Sequence, residues 1–226
     1  MQNAAPRGFR TFVIIWLGQS ISLIGSGLTG FALGVWVYQR TGSATQFTLI
    51  ALATALPGIV FSPIAGALVD RWDRKWAMIL SDTAAGLCTI CLALLFWLSK
   101  LEVWHIYIIM AVSSAFSALQ WPAYSAATTL LVSKATLGRA SGMVPISEAW
   151  SQIASPAIAC AFIGLIPVQG ILLFDFATLL FAIITLLIVR IPKPPTTADG
   201  KLGQGSLLRE AAFGWTYIRA RPGLVG

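Results

Sequence analysis

The sequence comprises 226 residues, of which 57% are hydrophobic and 10% are charged, and its mean hydropathy is +0.81. A soluble domain of this length is excluded, because its water-facing surface would require many more polar and charged residues. Fifteen Lys and Arg residues outnumber eight Asp and Glu residues, which gives a formal net charge of +7. Together these values predict an integral membrane protein that crosses the bilayer several times.

Charge-poor apolar runs divide the chain into predicted membrane spans. A helix needs about 20 apolar residues to cross the hydrocarbon core. Six runs reach that length, at residues 12–38, 46–69, 77–98, 104–131, 141–165 and 168–190. Each is predicted to be helical, because lipid offers an exposed backbone no hydrogen-bond partners and no run alternates like a barrel strand. The expected fold class is all-α, with a transmembrane domain at 12–191 between an N-terminal tail (1–11) and a linker (192–226).

The positive charges fall on one side of the predicted topology. With the N-terminus in the cytoplasm, thirteen of the fifteen Lys and Arg residues lie in cytoplasmic segments, and only Arg40 and Lys100 lie outside. Cytoplasmic loops carry such an excess, so both termini are predicted to be cytoplasmic. The net charge therefore reflects topology and attraction to the anionic lipid of the bilayer, and no nucleic-acid partner is expected.

A charged loop separates the second and third spans. It reads Gly66-Ala-Leu-Val-Asp70-Arg71-Trp-Asp73-Arg74-Lys75. Asp70 and Asp73 are expected at the start of the third helix, whose positive end favours anionic groups. The three basic residues are expected to hold the loop in the cytoplasm, and Gly66 is expected to allow close helix packing.

Three carboxylates fall inside predicted spans, where an ionisable group is a candidate functional residue. Asp82 lies in the third span, Glu148 in the fifth and Asp175 in the sixth. For Glu148 a functional and a structural role stay equally open, whereas Asp82 and Asp175 are interpreted as structural. These two aspartates share a local pattern, apolar-apolar-x-Asp-x-Ala, at an offset of 93 residues (175 minus 82). An inverted repeat of three plus three helices would produce such a pair.

Further polar and aromatic residues lie at mid-membrane depth. They are Gln19, Gln120, Trp121, Tyr124 and Gln152. Aromatic faces with few fixed hydrogen-bonding groups suit bulky amphipathic ligands, so these residues and the three carboxylates are predicted to line a substrate or proton pathway. For any one aromatic residue, space filling between helices is an equal alternative. Cys88 and Cys91 form a C-x-x-C pair without a second ligand pair, so no metal site and no cofactor are expected.

The pattern Gly-x-Leu-x-Asp-Arg-x-x-Arg-Lys at residues 66–75 resembles the signature between the second and third helices of major facilitator superfamily transporters. Residues 16–27 and 131–142 are similar to the branch containing bacterial macrolide-efflux and enterobactin-exporter-like permeases. The resemblance implies one half of a twelve-helix fold in the bacterial inner (plasma) membrane, with helices one and four beside a central cavity. It also implies a conformational-switch loop formed by Gly66, Asp70, Arg71, Arg74 and Lys75.

Two departures from the family pattern leave proton antiport open. Ser155-Pro156 stands where antiporters of the superfamily usually carry Gly-Pro, and the fourth span lacks the arginine of many drug and proton antiporters. In the linker, Ser206 can cap an amphipathic helix at 206–219 on the inner membrane surface. This segment resembles the linker before the seventh helix of twelve-helix relatives, so the chain is expected to hold only the first half.

Three functions are compatible with these features. The favoured one is half of a permease that exports a small amphipathic solute such as a drug or a siderophore, with a second copy or a separate chain as its other half. The alternative is a truncated or split-gene fragment without transport activity alone, which acts only as an assembly partner. An intramembrane enzyme comes last, because the sequence has no His-Glu-x-x-His motif, no Gly-x-Ser-x-Gly motif and no paired membrane aspartates with a glycine-aspartate motif. The sequence also has no nucleotide-binding loop to use ATP, so the permease is expected to use an ion gradient or the solute's own gradient.

Overall fold

The computed structural model describes residues 5–192, which form α-helices joined by short connections, with no β-strand among them. The helices are α1 (Ala5–Thr41), α2 (Ala44–Arg71), α3 (Arg74–Trp97), α4 (Val103–Ser117), α5 (Gln120–Leu131), α6 (Lys134–Ile163) and α7 (Val168–Ile188). The predicted all-α fold is confirmed. The amphipathic helix predicted at 206–219 lies outside the described residues.

The predicted fourth span consists of two helices, because the chain breaks between α4 and α5. At the break, the Leu119 N–H bonds to the Phe116 carbonyl three residues back, at 3.1 Å. Pro122 explains this interruption, since proline has no N–H to donate to the carbonyl four residues earlier, which belongs to Ala118. The segment Val103–Leu131 is nevertheless apolar enough to count as one candidate span.

Length and composition identify five candidate spans within residues 5–192, namely α1, α2, α3, the α4–α5 unit and α7. The predicted fifth span is not among them, although α6 is 30 residues long. Glu148, Gln152 and several serines lower its mean hydropathy. α6 also begins at Lys134, ahead of the expected residue 141, and Ser133 occupies its N-cap position without a side-chain capping hydrogen bond. Membrane crossing by α6 therefore stays a prediction.

The helices pack as two groups of three predicted spans that contact each other. α1 packs against α6 and α7, and the α4–α5 unit packs in the same way against α2 and α3, while α3 and α7 contact each other. Exchanging the first three predicted spans with the last three leaves this pattern of contacts unchanged. The packing is therefore that of a three-plus-three repeat, as the matching aspartates of α3 and α7 predicted.

Two apolar clusters occupy opposite ends of the bundle. One includes Phe12 and Met78 and joins the starts of α1 and α3 to the ends of α2, α5 and α7. The other includes Leu33 and Leu92 and joins the opposite helix ends. Buried polar side chains such as Asp82 lie between these two apolar clusters. Close van der Waals packing at both ends thus stabilises a polar layer in the middle.

Candidate functional site

A cavity of about 240 Å³ lies in this polar layer, mainly between α1, α3, α5 and α6. Of the eight residues predicted for the substrate or proton pathway, six line it: Gln19, Asp82, Gln120, Trp121, Tyr124 and Glu148. Serines and further apolar side chains complete the wall. The tertiary structure therefore gathers two carboxylates, two amides and several aromatic rings from distant segments around one space.

One face of α1 contributes to the cavity over several turns. Trp16, Gln19, Leu23 and Ser26 recur at intervals of three or four residues, which places their side chains on one side of the helix. Gln19 is among the predicted pathway residues, whereas Trp16 and Ser26 are not. The signal was present, since helical spacing measured from Gln19 leads to both.

A chain of amide hydrogen bonds holds Asp82 in the cavity wall. Gln19 donates from Nε2 to Asp82 Oδ2 at 2.9 Å, and Gln120 donates from Nε2 to Gln19 Oε1 at 2.7 Å. The three side chains belong to α1, α3 and α5, so the network connects three helices at mid-depth. Asp82 is buried, with 5% of its surface exposed. Its carboxylate links α3 to α1 through the bond from Gln19, and Asp82 also lines the cavity.

Serines of α6 attach that helix to the backbone of α1. Ser151 donates to the Leu23 carbonyl at 2.8 Å, and Ser155 donates to the Ile24 carbonyl at 3.1 Å. Nearer the cavity, the Ser20 and Ser147 hydroxyls lie 2.7 Å apart. These bonds fix the rotation of α6, and Glu148 consequently stands half-buried at the cavity wall.

Two residues predicted for the pathway lie outside the cavity lining. Gln152 is exposed on the outward side of α6. Asp175 is buried behind the wall, where Ser26 donates to its Oδ1 at 3.0 Å and Thr89 donates to its Oδ2 at 3.1 Å. Ser26 itself lines the cavity, so Asp175 touches the site through a hydroxyl group. The structure thus separates Asp82 and Asp175, which share a sequence pattern, into a lining and a supporting position.

The charged loop contacts the end of α7 through Lys75, which lies in the first turn of α3. Asp73 is the N-cap of α3 and accepts a hydrogen bond from the Lys75 backbone N–H at 3.0 Å, as expected for the start of this helix. The Lys75 side chain donates from Nζ to the carbonyls of Leu187 at 3.0 Å and Val189 at 2.8 Å. These carbonyls belong to the end of α7, where the helix dipole favours a cation. Lys75 therefore caps a helix that is far from it in sequence.

Two expectations for the loop are wrong. Asp70 lies exposed in the last turn of α2 and not at the start of α3, because α2 continues to Arg71. A Cβ atom added at Gly66 would meet no atom within 4 Å in the described part of the chain, so Gly66 does not mediate close helix packing there. It instead borders a groove between α2 and the α4–α5 unit.

The fold and the site define a class of protein: a multi-pass helical membrane protein with a three-plus-three repeat around a polar, aromatic-lined cavity. The sequence model of the Major Facilitator Superfamily matches residues 15–226, which is most of the chain. The chain therefore belongs to the Major Facilitator Superfamily, a family of transporters, and the resemblance noted in its sequence is confirmed.

Several relatives in the family carry names that refer to efflux. Macrolide efflux protein A from Streptococcus pyogenes is 33% identical over 213 residues, which are 94% of this chain and 52% of that protein. The protein of the same name from Enterococcus faecalis is 33% identical over 183 residues, covering 81% and 56%. Enterobactin exporter EntS from Shigella flexneri is 27% identical over 220 residues, covering 95% and 51%. The chain thus spans about half the length of the curated relatives that it matches.

Proposed function

We propose that this chain is the first half of an exporter that moves a small amphipathic solute across the bacterial inner membrane by alternating access. The observation that carries the proposal is the cavity in the polar layer, whose wall combines Gln19, Gln120 and two carboxylates with the rings of Trp121 and Tyr124. Rings offer broad apolar contact and amides offer few directional bonds, which suits bulky solutes of varied shape. The efflux proteins among the relatives support export as the direction.

The charged loop is proposed as the conformational switch at the cytoplasmic end. Lys75 holds the start of α3 to the end of α7, so a movement of either helix must break or carry this contact. Asp70 is exposed beside it and is proposed to contact the second half of the permease. This end of the bundle and both chain termini are proposed to face the cytoplasm. The end carries Arg71, Arg74, Lys134 and Arg190.

A second six-helix half is proposed to pack on the faces of α2 and α6. In the most apolar stretch of α2 only 6% of the residues are buried, so this helix offers a long outward surface. On α6, Gln152 is exposed next to Trp150 and Ile153. An exposed amide at this depth is costly against lipid and is better satisfied by a protein partner. The partner proposed for these two faces is another six-helix half.

Flux through inverted membrane vesicles tests the proposal. A labelled macrolide or enterobactin would be added outside vesicles containing the chain alone, or the chain coexpressed with the C-terminal half of macrolide efflux protein A. Gradient-dependent accumulation in either preparation, abolished in a matched variant with both Asp82→Asn and Glu148→Gln, is expected. Absence of flux in both preparations, with the chain inserted and folded, would instead favour a fragment that acts only as an assembly partner.

A further inference from the structure

The end of the bundle opposite the charged loop carries several exposed aromatic side chains. Tyr38 is 49% exposed, Trp97 is 82% exposed and Trp104 is 52% exposed. They lie at the end of α1, the end of α3 and the start of α4, which pack together in one apolar cluster. Exposed Trp and Tyr residues are enriched where a membrane protein meets the lipid headgroups. This end of the bundle therefore lies at a membrane–water interface.

A groove of about 610 Å³ opens at this interface between the end of α1 and the starts of α2 and α4. One cation and one anion line it, Arg40 and Glu102. The apolar and aromatic part of its lining includes Leu49, Val103, Trp104 and Tyr107. The groove is thus amphipathic, with charges of both signs beside apolar surface.

The two charges of the groove are bonded to other partners and not to each other. The Arg40 guanidinium lies 5.1 Å from the centre of the Trp36 ring and donates from Nη1 to the Leu101 carbonyl at 3.4 Å. The Glu102 carboxylate accepts from the Trp104 indole N–H at 2.6 Å. Within residues 5–192, Arg40 and Glu102 form no ion pair, although they line the same groove. A guanidinium has five N–H donors and a carboxylate accepts about four bonds, so both groups retain capacity for a ligand.

A second groove continues along the same seam between α2 and α4. It measures about 540 Å³ and is lined by Pro57, Phe61, Ala111, Val112, Ala115 and Phe116. On α4, Trp104 and Tyr107 line the first groove, and Ala111 and Ala115 line the second. These four positions recur at intervals of three or four residues, so they share one face of the helix. From residue 104 to residue 115 the helix rises about 17 Å, which is close to half the thickness of the hydrocarbon core. The two grooves thus lead from charged groups at the interface to apolar surface at membrane depth.

We propose that the two grooves together bind one phospholipid with a primary-amine headgroup. Arg40 binds the lipid phosphate through its planar set of N–H donors, and Glu102 accepts hydrogen bonds from the ammonium group. One acyl chain lies along the α2–α4 seam toward Ala111 and Ala115. Such a lipid fits because it joins a phosphate, an ammonium group and a long apolar chain in one molecule. The site shares no lining residue with the cavity of the proposed function, so its test does not depend on transport.

Lipid affinities measured by native mass spectrometry test the site, because bound lipids are counted on the intact chain. The full chain in detergent micelles would be titrated with dioleoyl phosphatidylethanolamine, its N,N-dimethyl derivative and dioleoyl phosphatidylcholine. All three lipids are net neutral and share the phosphate and the chains, whereas methylation removes the N–H donors stepwise. Phosphatidylethanolamine is expected to bind about threefold to tenfold more tightly than phosphatidylcholine, with the dimethyl lipid between them. Equal affinity for the three lipids would overturn the ammonium contact.

Glu102→Gln is the variant that tests the ammonium contact. It removes the charge but keeps a side-chain oxygen to accept from the Trp104 indole, so the start of α4 is expected to stay folded. The affinities for phosphatidylethanolamine and phosphatidylcholine are expected to come within about twofold of each other. Lys100→Gln removes an exposed charge from the same end of the bundle, outside the lining of both grooves, and is expected to preserve the preference. A preference that survives Glu102→Gln, or that Lys100→Gln removes as fully, excludes Glu102 from the site.

Arg40→Gln and Ala111→Phe test the phosphate and acyl-chain contacts. Each is expected to lower the affinity for phosphatidylethanolamine and phosphatidylcholine alike, by about fivefold, because both lipids share the phosphate and the chains. Thermal unfolding in lipid-free detergent checks that the variants are folded. If Arg40→Gln binds lipid as tightly as Lys100→Gln does, the bound lipid is not held by the groove and the proposal fails.

A soluble headgroup distinguishes a lipid from a small phosphate ester. Glycerophosphoethanolamine carries the same phosphate and ammonium group without acyl chains. It is expected to leave phosphatidylethanolamine bound when both are present at the same concentration, because it makes no contact with the second groove. Displacement of the lipid by this compound would show that the apolar groove contributes nothing and would overturn the assignment to a phospholipid.

Discussion

Gly27→Ala is expected to separate α1 from α6, although it adds a single methyl group. A Cβ atom at position 27 would lie 2.7 Å from the Ser155 Cβ and 3.3 Å from the Ser151 Oγ. The Ser155 Cβ is fixed to the α6 backbone and cannot rotate away. The helices must therefore shift apart, which stretches the bonds from Ser151 and Ser155 to α1 carbonyls.

The magnitude follows from three contributions. Overpacking a tight contact costs about 1–3 kcal/mol, and each interhelical hydrogen bond lost in a membrane protein costs about 0.6 kcal/mol. Replacing glycine by alanine within a helix raises the free energy of unfolding by about 1 kcal/mol, because alanine has the higher helix propensity and loses less conformational entropy on folding. The free energy of unfolding is thus expected to fall by about 1–3 kcal/mol.

Gly30→Ala is the matched control on the same helix. There an added Cβ would approach, among the atoms of residues 5–192, only the Met110 Cε, at 4.0 Å, so the variant is expected to be as stable as the parent or slightly more stable. Reversible unfolding of both variants in mixed micelles, followed by circular dichroism, compares them directly. If Gly27→Ala and Gly30→Ala have the same unfolding free energy, the close approach of α1 and α6 at Gly27 is refuted.

Two further predictions concern export and the charged loop. Glu148→Gln is expected to lower gradient-driven export in inverted vesicles more than Asp82→Asn at equal protein level, because Glu148 has a half-buried side chain at the cavity wall whereas Asp82 is already bonded to Gln19; equal or reversed losses would reject this order. Lys75→Gln removes the ammonium that caps α7 and is expected to lower the unfolding free energy by about 1 kcal/mol. Lys75→Met should lose as much stability as Lys75→Gln, and if both match the parent in unfolding experiments, Lys75 does not stabilise the end of α7.

The positions of several helices could be predicted closely from the sequence, with informative exceptions. Lipid leaves a long apolar run no alternative to a helix, so α2, α3 and α7 match their predicted ranges within a few residues. The break before α5 is also encoded locally, by Pro122, which removes a hydrogen bond from the helix. α6 is harder to recognise as a span by hydropathy. Its serines Ser151 and Ser155 are hydrogen-bonded to α1, and a hydropathy value does not take such bonds into account.

The membrane class, the family and the repeat follow from local features of the sequence, namely the charge-free runs, the 66–75 motif and the paired aspartate pattern. Which polar residues share a cavity depends on how the helices pack. Asp82 and Asp175 stand in similar local sequences, yet one lines the cavity and the other is held behind it by Ser26 and Thr89. Gln152 was grouped with them but is exposed on α6. The reason is physical: helical spacing assigns side chains to a face, but the neighbours that each face meets depend on how the helices pack.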